Sequence, residues 1–202
     1  MIPTLLILLT AVWLWQPESS GVRRIFEENL ARNHNAQAAR DLGMFLLKDG
    51  DRAAARRVLR EALRLDEAES SPHTLEDAAA LAAISPAAEA EPLYRRAAES
   101  SDPSVAGPAL SALGAMHKSA GDRTGAAALY RRAITKAEAL EGRNGVTVAL
   151  MLVQLASVAD RVEAVASLQR AIAIDRQVLG PQHPQTRAAE RALSGAGPRP
   201  AR

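Results

Sequence analysis

Four stretches of the chain superpose when aligned on Ala62, Ala97, Ala133 and Ala171, which recur roughly every 36 residues. A period of that length constrains the fold more than any other feature. Each unit must be a small supersecondary element that buries its apolar face only by stacking on its neighbours. One register position early in each unit holds Leu42, Asp77, Leu113 and Met151, and the next holds Gly43, Ala78, Gly114 and Leu152. Nearer the anchor alanines, large Leu59, Tyr94, Tyr130 and Leu168 share one register position, and small Ala55, Ala90, Ala126 and Ala164 share another. Apolar residues in runs, with Gly and Pro clustered between them and no long apolar/polar alternation, predict helices rather than strands. Composition agrees. Aromatic residues make up 3% of the chain and the apolar set 48%, so Ala and Leu must supply most of the buried surface of an all-α protein.

The third unit, ALSALGAMHKSAGDRTGAAALYRRAI, carries Leu113, Gly114, Gly121, Asp122, Ala126, Tyr130 and Ala133. The first, DLGMFLLKDGDRAAARRVLREAL, carries Leu42, Gly43, Gly50, Asp51, Ala55, Leu59 and Ala62 in the same order. Both resemble the tetratricopeptide repeat family, which places Leu, Gly, a turn, a small residue, an aromatic or large residue and a second small residue at these sites. Small sites let two helices approach, large sites fill the space between them, and Gly-Asp turns the chain and caps the second helix. Two units depart from the pattern. The second has Asp77 at the Leu site and Ser85-Pro86 at the turn, and the fourth has Leu152 at the Gly site and Ala159-Asp160 at the turn. The segment from Arg170 to Leu193 resembles the longer repeats of kinesin light chain, whose second helix ends in Leu-Gly-x-x-His-Pro, here Leu179, Gly180, His183 and Pro184. EALEGRNGVTVAL from Glu138 is a similar stretch without the His-Pro.

The resemblance implies an α-solenoid of about four repeats over residues 36–194, with residues 185–194 as a C-terminal capping helix and 195–202 as a frayed tail. It also implies a protein-protein interaction scaffold or adaptor that binds a partner segment, protein or peptide, in a concave groove lined by the first helices. Carried over by register, the groove residues are Gln37, Arg40, Met44 and Lys48 in the first repeat and Ser111, Ala115 and Lys118 in the third. In the fourth they are Ala149, Val153 and Ser157. Arg40, Lys48 and Lys118 are the basic candidates for holding an anion, but the Asn of the family's carboxylate clamp has no counterpart at these sites. A reading of a different class is a dedicated structural or regulatory accessory subunit of an enzyme or envelope complex, docked through an apolar patch outside the groove.

Residues 4–15, TLLILLTAVWLW, are apolar and uncharged, and Pro17, Glu18, Ser19 and Ser20 follow. That length suits the core of a signal peptide better than a membrane span, which needs about 20 apolar residues. Against cleavage stand an n-region without Lys or Arg and the weak small-residue pair Ser19 and Gly21. Residues 1–20 are therefore read as a signal peptide or a short membrane anchor, with a buried helix as the plainer alternative, and residues 21–35 as a linker or N-terminal helix. The expected location is the periplasm or cell envelope.

Chemistry-bearing patterns are missing. The sequence holds no phosphate-binding loop, no Gly-x-Gly-x-x-Gly, no Gly-x-Ser-x-Gly and no His-Glu-x-x-His. His34, His73, His117 and His183 are far apart, and the acid pairs Glu27-Glu28, Asp66-Glu67 and Glu89-Glu91 suit solvated faces or Arg partners. No cysteine is present, which excludes disulfides and thiolate metal sites. A net charge of +2, from 25 basic and 23 acidic residues spread along the chain, does not favour nucleic acid. The sequence therefore predicts a non-enzymatic protein without cofactor or metal.

Overall fold

The computed structural model describes residues 18–196. The apolar segment at residues 4–15 and the last six residues lie outside the described part. Ten helices and no strand occur among the described residues. The chain divides into two compact units, Met1–Ser85 and Pro86–Arg202, at the Ser85-Pro86 turn of the second repeat. That repeat accordingly gives its first helix to one unit and its second helix to the other.

The first unit contains α1 (Glu18–Asn33), α2 (Ala36–Lys48), α3 (Arg52–Ala68) and α4 (Thr74–Ala82). Helices α2 and α3 form a hairpin because the chain between them carries its own turn. Gly50 adopts the left-handed φ of 89° that other residues resist, and the Asp51 carboxylate accepts from the Ala54 amide at 3.0 Å. The start of α2 is closed in the same way, by the Asn35 side chain accepting from Ala38 N at 2.8 Å. Residues 21–35, open between linker and helix in the sequence, are almost entirely α1, which ends at His34 with φ 44°. Phe26 and Leu30 of α1 pack on the cluster of Leu42, Leu46, Ala54 and Ala55, and Phe26 stacks on Phe45 with ring centroids 5.3 Å apart.

The second unit contains α5 (Ala87–Ala97), α6 (Pro103–Ser119), α7 (Arg123–Glu141), α8 (Val146–Ala156), α9 (Arg161–Val178) and α10 (Pro184–Ala196). Helices α6 and α7 repeat the first hairpin's turn, with Gly121 at φ 84° and Asp122 accepting from Gly125 N at 2.8 Å. Between α8 and α9 the glycine is absent, and Asp160 alone caps the second helix by accepting from Glu163 N at 3.0 Å. Helix α9 ends at Leu179 and Gly180, as the Leu-Gly-x-x-His-Pro pattern predicts, and Gly180 takes a φ of 91°. Helix α10 packs on α9 as the capping helix, and its Thr186 hydroxyl donates to Gly180 O at 2.9 Å. It runs to Ala196, so Gly195 and Ala196, placed in the tail from sequence, are helical. Two ion pairs join successive second helices: Arg131–Glu163 at 2.6 Å and Arg170–Glu138 at 2.5 Å.

Candidate functional site

In the first unit, the space between α2 and α4 is filled by charge. Arg40 on α2 donates from Nε to Asp77 Oδ1 at 2.6 Å and from Nη2 to Asp66 Oδ2 at 2.8 Å, while Nη1 reaches Gln37 Oε1 at 2.7 Å. The side chain of Asp77 is 0% exposed and that of Asp66 5%, so neither carboxylate can rely on water and both depend on the shared guanidinium. The hydrogen bond that Arg40 donates to Asp77 holds the Arg40 pKa above its ordinary value. Burial pushes the Asp77 carboxyl up, Arg40 pulls it back down, and the neighbouring Asp66 adds to the rise. The Asp that breaks the repeat pattern at position 77 is thus explained by an arginine in the preceding repeat.

The second unit presents the same three register positions with different residues. Arg40, Asp66 and Asp77 correspond to Ser111 on α6, Ala137 on α7 and Met151 on α8. All three line an apolar cavity of about 500 Å³. Helix α7 packs against both α6 and α8 and forms the floor through Tyr130, Ala133, Ala137 and Leu140. Gly107, Pro108, Ala112 and Ala115 of α6 form one wall, and Thr147, Met151 and Gln154 of α8 the other. Small side chains on α6 leave space that no neighbour fills, and interiors otherwise pack without such voids. Pro108 on that wall has no amide hydrogen, so the helix bond it would donate to Ser104 O is missing. At that end Glu141 accepts from Thr147 N at 3.0 Å and from the Thr147 hydroxyl. Toward the far end of α6, Lys118 Nζ donates to Ser157 Oγ at 2.8 Å.

The groove residues expected from sequence divide accordingly. Ser111 and Ala115 line the cavity, and Lys118 of α6 is bonded to Ser157, the residue that caps the end of α8. Val153 is half-buried beside Gln154 without lining it, and Ala149 is wholly buried, so that position offers no groove contact. In the first unit Met44 is 54% exposed and Lys48 is exposed, whereas Gln37 and Arg40 are engaged within the unit, Gln37 also donating to Asp41 Oδ1 at 2.8 Å. The register transfer missed Met151 and Gln154. Helix α8, VTVALMLVQLA, is apolar on nearly every side, so its sequence does not mark which face meets the groove. Met151 had a signal in its register match to Asp77.

His117 contributes a separate feature. Its Nδ1 lies 2.7 Å from Asp122 Oδ2 in an open cleft with Glu91 and Ser119. The Gly125 amide, and after it His117, hold the Asp122 carboxyl below the usual carboxylate range. The carboxylate is therefore committed to capping α7. Ser119 Oγ donates to Ala115 O at 2.9 Å, away from the ring, so the cleft has a His-Asp pair without an aligned nucleophile. No group of three or more His, Cys, Asp or Glu that could hold a metal ion occurs among the described residues.

The family model described as tetratricopeptide repeat matches residues 35–68 and 109–145. These two segments are tetratricopeptide repeats. They coincide with the α2–α3 hairpin and with most of α6 and α7, the elements in which the Leu-Gly and Gly-Asp pairs are intact. The crystal structure of BtubC (BKLC) from P. vanneervenii is similar to the chain with a TM-score of 0.71 at 17% identity, over 88% of this chain and 80% of that one. At that identity the likeness shows a shared helical-repeat fold around the matched repeats. No curated protein matches the chain.

Proposed function

We propose that the chain is a protein-binding scaffold that takes a segment of a partner protein into the cavity between α6 and α8. Tetratricopeptide repeats support protein–protein interaction in general. The observation that carries the finer reading is that Ser111, Ala137 and Met151 leave open the space that Arg40, Asp66 and Asp77 fill elsewhere. The lining is apolar, so the anchor is a bulky apolar side chain of the partner. Buried apolar area supplies roughly 25 cal/mol per Å² toward such binding. Glu141 and Lys118 near opposite ends of α6 suit a partner with a cation beyond one end of the anchor and an anion beyond the other.

Export or membrane attachment is a further part of the proposal and rests on residues 4–15 alone. No helix among the described residues is long and apolar enough to cross a membrane. Fractionating cells that express the full chain and a chain starting at Gly21 tests it, because loss of envelope association in the shorter chain is the expected result.

A photo-crosslinker at Ala112 in the full chain, used in the source cells, identifies the bound segment, and calorimetry with that segment as a peptide measures its affinity. Closing the cavity with Ser111→Arg, Ala137→Asp and Met151→Asp together should weaken the peptide at least about tenfold, equivalent to about 1.4 kcal/mol. An unchanged affinity in the folded triple variant places recognition elsewhere. Failure to crosslink any partner removes the proposal.

A further inference from the structure

The same register position recurs once more, and there the carboxylate has no arginine. Asp175 on α9 corresponds to Asp66 on α3, and the residue corresponding to Arg40 is Ala149. Asp175 is 0% exposed. Its Oδ1 accepts from Gln185 Nε2 of α10 at 3.0 Å, and its Oδ2 has no hydrogen-bond partner. A buried carboxylate in this state costs free energy when charged, because neither water nor a cation replaces its lost hydration.

The surrounding groups leave the charge unbalanced. Helix α8 carries no ionisable residue. Helix α7 reaches α9 through Arg131–Glu163 and Glu138–Arg170, which pair with each other. On α10, Arg187 donates to Gln182, Glu190 is held by Arg176, and Arg191 is exposed. The connecting loop supplies His183, whose Nδ1 accepts from Gln185 N at 3.3 Å. Gln185 thus bonds both His183 and Asp175, and it lies in the first turn of the helix that packs on α9.

We propose that Asp175 makes the C-terminal helix a proton-controlled cap: α10 seats fully on α9 when the carboxyl is protonated and loosens when it ionises. Burial pushes this carboxyl up, against the smaller opposing effects of Gln185 and His183. A carboxyl raised on folding contributes stability that is fully present below its unfolded pKa and is lost as pH rises through its folded pKa. Seating of α10 is therefore tightest in acid and weakens toward neutral and alkaline pH.

Hydrogen exchange of the full chain from acid to mildly alkaline pH, corrected for the intrinsic exchange rate, tests the cap. Protection of amides in residues 186–194 should fall with rising pH, relative to residues 165–172 of α9. The expected loss is about tenfold for each unit by which folding raises the carboxyl. Asp175→Asn and Asp175→Ala should both make the profile flat, and His183→Gln should retain the fall. A flat profile in the unaltered chain overturns the proposal. So does an undiminished fall in both Asp175 variants, or a fall lost only in His183→Gln. Should either Asp175 variant fail to fold, the other still decides.

Discussion

The first and second units use one inter-repeat position in opposite ways. Between α2 and α4, Arg40 ties Asp66 and Asp77 into a closed contact, whereas between α6 and α8 the matching Ser111, Ala137 and Met151 leave a cavity. The backbone scheme is the same, two first helices laid over a second helix, so three side chains decide whether the position is structural or available to a ligand. The lesson is that in repeat proteins the interesting departures are those that differ between equivalent positions, because the scaffold cancels out of the comparison.

The comparison breaks most readily at Arg40. Arg40→Met should destabilise the first unit by about 3–5 kcal/mol, because it leaves two buried carboxylates without their cation. Urea denaturation with hydrogen exchange read over residues 36–82 checks this. A loss near zero would show that the closed position does not depend on charge. Ser111→Arg in the second unit is the converse. Alone it should cost about 1–3 kcal/mol as a charged side chain among apolar ones. Adding Ala137→Asp and Met151→Asp should recover part of that loss, as a favourable coupling of about 0.5–3 kcal/mol in a mutant cycle.

The two hairpins can be compared through their close approaches. A Cβ on Gly114 would lie 2.8 Å from Tyr130 Cε1, and one on Gly43 would lie 2.6 Å from Leu59 Cγ. Gly114→Ala and Gly43→Ala should each cost about 1–3 kcal/mol by overpacking, measured as a shift in denaturation midpoint. Because the Tyr130 ring also floors the cavity, Gly114→Ala alone should in addition weaken the partner peptide.

Acid should separate the caps from the C-terminal carboxylate. Asp122 is held down by the Gly125 amide and His117, so its contribution is present above the unfolded pKa and is lost as pH falls through the lower folded one. Asp122→Asn should flatten the acid limb of the melting temperature against pH, the opposite sign to Asp175. The smallest effect belongs to Arg131→Ala. Its pair with Glu163 is half-exposed, and its removal should cost under about 1 kcal/mol and fade in salt.

Much of the architecture was legible from the sequence because its causes are local. Gly50-Asp51 and Gly121-Asp122 encode turn and cap within two residues, and the small and large sites in register encode the helix pairs. The candidate site was only partly legible. Ser111 and Ala115 were found because α6 keeps the family spacing, while Met151 and Gln154 were missed because the uniformly apolar α8 hides its orientation.

By itself, then, the sequence determined the period, the number and pairing of the helices in the two intact repeats, and the turns between them. Only the tertiary structure decided that Arg40 is spent on Asp66 and Asp77, that the matching position in the second unit is open, and that Asp175 is buried without a cation. The reason is that a helix hydrogen bond or a cap joins neighbours in the chain. The charge or void at an inter-repeat position is instead set by three helices whose contributing residues lie far apart in sequence and meet only on packing.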